Sequence, residues 1–93
     1  MFYLVCYDIV SDYRRNKVSQ LLEGYGMRVQ RSVFECVLSD SQYKLIVQEI
    51  RRRIDLKSDQ VRLYPLSSRE RQNVNIIGLK PEFTVDDSAY IAW

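Results

Sequence analysis

The carboxylate of Asp8 is the side chain in this sequence best placed to do chemistry. It follows an apolar run at residues 2–7 that is typical of a central strand buried on both faces, so it should lie at the sheet edge, at the mouth of the first loop. Proteins usually hold Mg²⁺ with one or two carboxylates plus waters and substrate phosphates. One aspartate per chain is a sparse metal site, and a two-fold dimer that brought two Asp8 side chains together would make a better one. The alternative is that Asp8 caps a turn or pairs with Arg14 or Arg15.

A second candidate is the basic cluster of Arg14, Arg15 and Lys17, in the first turn of a predicted helix. The helix dipole favours anions at this end, so the cations do not help the helix itself. A helix start that carries cations and points free N–H groups outward is well suited to bind phosphate. Arg31, at a predicted turn between strands, could join this site. The alternative is a solvated helix face, which is also our interpretation of the arginines at 51–53.

The composition excludes several kinds of site. There is no histidine and there are only two cysteines, Cys6 and Cys36, without a CxxC motif, so zinc lacks ligands and histidine cannot transfer protons. Catalysis would have to use carboxylates, hydroxyls, arginine or a metal ion. Both cysteines lie in apolar runs, which indicates buried free thiols in a reducing cytosol. The net charge of +2 does not by itself indicate a nucleic-acid partner.

The helix that carries the basic cluster follows from hydrophobic spacing. Apolar residues at i, i+3, i+4 and i+7 from Val18 predict a helix over 12–25, with Ser11 or Asp12 as its N-cap. Gly26 suits a left-handed position at the end of this helix. The cations therefore lie at the start of a helix that follows the Asp8 strand.

The rest of the domain is predicted in the same way. Residues 27–38 favour strands and indicate either two strands joined by a tight turn or one long kinked strand. A capping cluster at 39–41 precedes a second helical stripe, which predicts a helix over 41–54. Alternation over 59–66 predicts a further strand.

This order of elements predicts one α+β domain. Strand, helix, strand, strand, helix, strand is the ferredoxin-like βαββαβ arrangement, an antiparallel sheet with both helices on one face. We interpret 67–73 as a polar loop and 74–77 as an additional C-terminal strand that could pair with a dimer partner. The domain would then span 1–78, and a tail at 79–93 could pack on the partner. The first apolar run is too short to span a membrane, so we expect a cytoplasmic protein without a membrane partner.

Several short motifs occur together, in order, over about residues 1–78. They are Tyr7-Asp8-Ile9, then Asp12, Arg14, Arg15 and Lys17, the stripe of Val18, Leu21 and Leu22, Tyr25-Gly26, Arg28-Val29-Gln30, Ser32-Val33-Phe34-Glu35 and Val61-Arg62-Leu63-Tyr64. Each motif alone is weak. The ordered set resembles the small CRISPR-associated endonuclease of the adaptation module, the partner of the CRISPR integrase in this antiviral defence system.

The resemblance implies a function that composition alone does not. It implies a homodimer with one Mg²⁺ or Mn²⁺ ion shared by the two protomers, which bridges integrase dimers and lies along duplex DNA during spacer capture. Some members of such a family cleave RNA or DNA with a metal ion, and others are structural. By position, the resemblance makes Asp8 the metal ligand and catalytic residue. It assigns phosphate contacts to Arg14, Arg15, Lys17 and Arg31, and shaping of the site to Tyr7 and Phe34.

Two other functions fit the same pattern. A ribonuclease toxin of a toxin–antitoxin pair shares this fold, and neighbouring genes would separate it from an adaptation protein. A small-molecule-sensing or assembly domain could also use the same fold, since ferredoxin-like domains host many functions. The latter predicts no DNA affinity and no effect of Asp8 on metal binding.

Overall fold

The computed structural model describes residues 1–79 and confirms the predicted order of the first six elements. A short helix follows them. The elements are β1 (Phe2–Asp8), α1 (Asp12–Glu23), β2 (Gly26–Gln30), β3 (Val33–Val37), α2 (Asp40–Arg53), β4 (Gln60–Leu66) and α3 (Ser68–Gln72).

The four strands form one antiparallel sheet in the order β2-β3-β1-β4. Helices α1 and α2 contribute buried residues to a single core with one face of this sheet, which is the predicted ferredoxin-like arrangement. β1 is central, and β2 and β4 form the two edges. Because β1 pairs on both sides, its last residue, Asp8, is held in a fixed register beside Gln60 at the start of β4.

The core lies between the sheet and helices α1 and α2. Alternate residues of β1 and β3 point into it and meet the apolar stripes of the two helices. Fully buried side chains here include Val5, Val18, Leu22, Phe34, Cys36 and Ile46. The predicted helical stripe from Val18 is therefore confirmed.

Side-chain caps fix where the two long helices begin. Ser11, rather than Asp12, is the N-cap of α1, because its hydroxyl accepts a hydrogen bond from the Arg14 N–H. Ser39 and Gln42 form a capping box at the start of α2, in which each side chain accepts from the backbone of the other. The start of α1, and with it the basic cluster, is therefore set locally by Ser11.

Residues 27–38 form two strands joined by a tight turn, with an irregular register between Arg28 and Gln30. Gly26 is needed here for a reason other than the predicted left-handed conformation. It opens β2, and a Cβ at this position would overlap the Glu35 carbonyl oxygen and lie 2.6 Å from the Cys36 sulfur. Gly26 thus allows β2 to approach β3 closely.

The prediction of a polar loop at 67–73 is wrong, because α3 occupies this segment. Ser67 caps the helix by accepting from the Glu70 N–H, and the Glu70 side chain accepts from the Ser67 N–H. This capping box is visible in the sequence as Ser-x-x-Glu. The guanidinium of Arg71 in α3 lies 4.3 Å from the centroid of the Phe2 ring, which places the helix against β1.

The single chain has four strands in its described part rather than five. Residues 74–77 adopt no strand in it. After α3 the chain runs beside the sheet face that carries Leu4 and Val29, whereas a further strand can join a sheet only at its edge. Pairing with a second copy remains a prediction. The predicted tail at 79–93 lies, except for its first residue, outside the described residues.

The sheet face opposite α1 and α2 is here called the open face. It carries Leu4, Cys6 and Asp8 of β1, and their cross-strand partners Tyr64, Arg62 and Gln60 of β4. β1 was predicted to be buried on both faces, but on the open face Leu4 and Cys6 are only half-buried and Asp8 is exposed. No helix within residues 1–79 is long and apolar enough to cross a membrane.

Candidate metal and nucleic-acid site

Asp8 ends β1 on the open face, where its carboxylate is exposed. Neither alternative to a ligand role is observed, because Arg14 and Arg15 pair with other carboxylates. Within residues 1–79 no hydrogen bond or ion pair engages the Asp8 side chain, and no backbone N–H donates to it. The carboxylate is therefore available to an external cation.

A divalent metal ion fits this site only if two protomers share it. Carboxylate oxygen is the donor that Mg²⁺ and Mn²⁺ prefer, and Asp8 offers it without an internal competitor. The described part of the chain contains no group of three or more acidic, cysteine or histidine side chains that could hold a metal. The described part of one protomer therefore does not enclose a metal ion by itself, and the site shared by two protomers stays a prediction.

Arg14 is engaged in an internal contact. Its guanidinium donates to Asp59 through Nε at 2.7 Å and Nη2 at 3.3 Å, and the Asp59 side chain is fully buried. Asp59 also accepts from the N–H groups of Val10 and Asp55. The Arg14 hydrogen bond, with these N–H groups, holds the pKa of Asp59 well below its usual range although burial opposes it. Arg14 therefore fastens α1 to the loop before β4.

Arg15 is also held within the chain. It bonds Asp12 through Nη1 and donates through Nη2 to the carbonyl oxygen of Ile9 at 3.0 Å. Its side chain is one-third exposed. Arg15 ties the loop after Asp8 to α1, so it positions the end of β1. Both guanidinium groups have protein partners, so a phosphate would compete with Asp59 and Asp12 for them. The phosphate contacts of Arg14 and Arg15 stay a prediction.

The phosphate contacts of Lys17 and Arg31 also stay a prediction, and both side chains are accessible for them. Both are exposed. Lys17 lies over the ring of Tyr13, 5.4 Å from its centroid, and no carboxylate of residues 1–79 pairs with it. Arg31 lies in the β2–β3 turn, where its carbonyl oxygen accepts from Arg28 and its own guanidinium has no partner among the described residues. These two cations can meet phosphate without breaking an internal bond.

Tyr7 and Phe34 lie on the core side of the sheet, opposite the face that carries the Asp8 carboxylate. Both point into the core, with ring centroids 6.3 Å apart, and Phe34 is fully buried. Burial is also the main cause of the raised pKa of Tyr7. Phe34 points away from the open face, so it can shape the site only through the packing of the core beneath the sheet. Tyr7 fixes the backbone beside Asp8.

Three residues near Asp8 were not singled out as site residues from the sequence. Gln60, Arg62 and Tyr64 alternate along β4 on the open face and border a hollow of about 250 Å³ that Asp8 also lines. Arg62 donates to Gln60 Oε1 at 2.9 Å and to the Tyr64 hydroxyl at 3.1 Å. The alternation over 59–66 predicts that these three residues lie on one face of a strand. The pairing of β4 with β1 brings that face next to Asp8.

Comparison with known proteins gives the same family throughout. The family model for "CRISPR associated protein Cas2" matches residues 1–74. A curated relative from Chloroflexus aurantiacus, named CRISPR-associated endoribonuclease Cas2 1, is 45% identical over 92 residues, which cover 98% of this chain and 99% of that protein. The toxin alternative receives no support from these names.

Two solved structures agree with the fold. The crystal structure of Streptococcus pyogenes Cas2 is 34% identical, with a TM-score of 0.77, and the match covers 84% of this chain and 100% of that one. A chain of a partial Cas6-RT-Cas1–Cas2 complex is 32% identical, with a TM-score of 0.66, over 82% of this chain and 89% of that one. The chain that carries an unpaired Asp8 at the end of its central strand therefore belongs to the CRISPR-associated Cas2 family.

Proposed function

We propose that this protein acts in CRISPR adaptation as a homodimer that bridges integrase dimers, binds duplex DNA through its phosphates and carries a metal-dependent endonuclease site at the Asp8 pair. The observation that carries the proposal is the Asp8 carboxylate, which is exposed at the end of β1 and has no partner within residues 1–79. Asp59 is a carboxylate with a structural role, buried and paired with Arg14, whereas Asp8 lines a hollow on the open face and ends the central strand. Asp8 is instead left for a ligand.

The integrase as partner is supported by one of the structural relatives. A chain similar to this one forms part of a complex that contains Cas1 and Cas2. The Chloroflexus relative is named an endoribonuclease, which supports cleavage of nucleic acid by the family. Bridging and cleavage are compatible, because the first depends on the outer surface of the dimer and the second on the Asp8 pair.

A dimer is supported by apolar surface that the single chain leaves uncovered. After α3, the side chains of Ile77 and Leu79 are 90% and 99% exposed, and Val74 and Ile76 are about half-exposed. These residues border the open face, next to Leu4 and Val29. Burial of apolar surface stabilises association by about 25 cal/mol per Å². A second copy that covered this surface would bring two open faces, and with them two Asp8 carboxylates, towards each other.

The residues at and around the Asp8 site would have separate roles in binding the ion and the nucleic acid. Asp8 from each protomer would hold the ion, which supplies Lewis-acid activation of a phosphodiester when bound. Arg15 and the paired β1 ladder hold the Asp8 backbone in place, and Tyr7 anchors it from the core. Lys17 and Arg31 would hold the nucleic acid by its phosphates. Among the described residues that line the hollow, Asp8 is the one carboxylate, so no second carboxylate there can act as a general base and a slow reaction is expected.

Asp8→Asn tests this division, because the change keeps the size of the side chain and removes its charge. We expect metal-dependent cleavage to be lost, whereas dimerisation, DNA binding and integrase-dependent spacer acquisition are retained. Two facing carboxylates repel each other, and a divalent ion relieves that repulsion, so dimerisation does not depend on the charge.

Asp40→Asn is the matched control, since Asp40 is an exposed carboxylate at the start of α2. It should behave as wild type in all four assays. Cleavage that persists in Asp8→Asn would remove this residue from the mechanism and point to a contaminating nuclease. Loss of acquisition together with cleavage would show that the metal site is required for the adaptation function as well.

A further inference from the structure

The hollow beside Asp8 has donors along one wall. It lies on the open face at the sheet edge formed by β4, with a volume of about 250 Å³. Asp8 and Cys6 of β1 line one side, and Gln60, Arg62 and Tyr64 of β4 line the other. The wall on the β1 side thus carries a carboxylate, and the wall on the β4 side carries hydrogen-bond donors.

Arg62 differs from most arginines of this chain in having no acidic partner. Arg14, Arg15 and Arg53 each pair with a carboxylate at short distance. Arg62 instead donates to two neutral oxygens, those of the Gln60 amide and the Tyr64 hydroxyl, and no carboxylate within residues 1–79 pairs with it. Its positive charge therefore stays uncompensated while its orientation is fixed from both sides.

The three side chains still have donors to offer. A guanidinium has five N–H groups, of which these hydrogen bonds use one on Nε and one on Nη1. The Gln60 amide accepts through its oxygen and keeps its two N–H groups, and the Tyr64 hydroxyl keeps its own proton. Fixed donors around a positive charge are what an anionic oxygen requires, and guanidinium suits phosphate because its N–H groups lie in one plane.

The pairing of β1 with β4 places Gln60, Arg62 and Tyr64 on the same face as Asp8, the proposed metal ligand. Asp8 lies directly opposite Gln60, and Arg62 lies opposite Cys6, two residues further along β4. Diagonal neighbours on one face of a sheet have backbones about 7–8 Å apart. A long side chain can reach a diagonal neighbour, but Arg62 is held by Gln60 and Tyr64 instead, and no Asp8–Arg62 ion pair is present within the described residues. A cation at Asp8 and a phosphate between it and Arg62 would fill the gap.

From this arrangement we infer that Arg62, oriented by Gln60 and Tyr64, is a phosphate-binding residue of the Asp8 site and holds the phosphodiester next to the metal ion. The inference rests on the proposed function for the role of Asp8. The ligand is one charged phosphodiester of a nucleic-acid strand that enters over the β4 edge. Two ionised aspartates would neutralise the formal charge of one divalent ion, so Arg62 would add net positive charge to the site and help to stabilise the developing negative charge on the phosphate.

Binding can be tested without cleavage. The thymidine dinucleotide TpT carries one phosphodiester, and its methylphosphonate analogue is the same size without the charge. In the wild-type protein with Mg²⁺ we expect TpT to shift the NMR signal of the Arg62 Nε–H, and the analogue to leave it unchanged. Arg62→Ala should weaken TpT binding about tenfold or more, as expected for loss of a charged hydrogen bond. Tyr64→Phe should weaken it less, because it loosens Arg62 without removing the charge.

Arg51→Ala is the matched control, since Arg51 is an exposed arginine of α2 that no described carboxylate pairs with. It should bind TpT as wild type does. An unchanged Arg62 signal, or equal weakening by Arg51→Ala, would overturn the inference.

Measuring nuclease activity in two variants distinguishes a failure of this inference from a failure of the proposed function. If the protein cleaves, Arg62→Ala should lower kcat about a hundredfold, as loss of a donor to the reacting group does elsewhere, while the affinity for Mg²⁺ stays unchanged. Full kcat in Arg62→Ala with loss of activity in Asp8→Asn would refute the role of Arg62 and leave the proposed function intact. If the wild type does not cleave, the nuclease proposal fails, and the TpT titration alone decides whether Arg62 binds phosphate.

Discussion

The salt dependence of DNA binding should identify which cations meet phosphate. Binding releases one set of counterions for each phosphate neutralised, so log Kd against log salt has a slope of about 0.9 per neutralised phosphate on duplex DNA. The structure leaves Lys17 and Arg31 free for this role and commits Arg14 and Arg15 to Asp59 and to Asp12. The double variant Lys17→Ala, Arg31→Ala should therefore flatten the slope.

The expected size of this change depends on how many phosphates the two cations neutralise. Two cations per protomer account for about 1.8 of the slope, and about 3.6 if both protomers of a dimer bind one duplex. Over a fourfold change in salt, from about 50 to 200 mM, the wild type would then lose roughly 150-fold more affinity than the double variant, or roughly 12-fold more if one protomer binds. Fluorescence anisotropy with a labelled duplex measures this directly.

The matched control is Arg51→Ala, Arg52→Ala, which removes the same charge from the end of α2. It should leave the slope of the wild type unchanged. An unaltered slope in the Lys17, Arg31 variant would refute our identification of the phosphate-binding cations. A slope flattened by the α2 variant instead would place the DNA at the end of α2.

Two further predictions concern the scaffold that holds the site. Asp59 has a lowered pKa because of its hydrogen bond to Arg14, so the stability that it contributes should be complete above about pH 4 and lost as pH falls through its pKa in the folded protein. In urea unfolding, Asp59→Asn should have a lower free energy of unfolding at neutral pH than the wild type and should lose less of it in acid. Equal acid sensitivity of the two proteins would contradict the assignment. Gly26→Ala should lower the free energy of unfolding by about 1–3 kcal/mol, because the new Cβ would overlap the backbone of Glu35. Its control, Gly24→Ala, has its nearest atom at 3.4 Å and should cost far less, so equal losses would refute the close-approach argument.

Most of the fold could be predicted because its signals are local. The stripe from Val18, the capping box of Ser39 and Gln42 and the alternation along β4 each depend on a few neighbouring residues, and all are present in the structure. The capping box of Ser67 and Glu70 is as clear as that at Ser39. Its helix was missed because the segment is short and strongly polar, which favoured the interpretation as a loop.

The sequence alone determined that a carboxylate ends the central strand, that no histidine or zinc chemistry is available and that cations gather at the start of α1. Tertiary structure decided which of these groups are free. Arg14 meets Asp59 across 45 positions of sequence, and Arg62 reaches the vicinity of Asp8 only because β4 pairs with β1. Spacing along the chain determines which face of a strand or helix a side chain lies on. Whether its charge is paired depends on residues that are distant in sequence and become neighbours only in the folded protein. The structure therefore pairs two arginines of the predicted phosphate site with carboxylates of the chain, and leaves the Asp8 carboxylate exposed without a partner within residues 1–79.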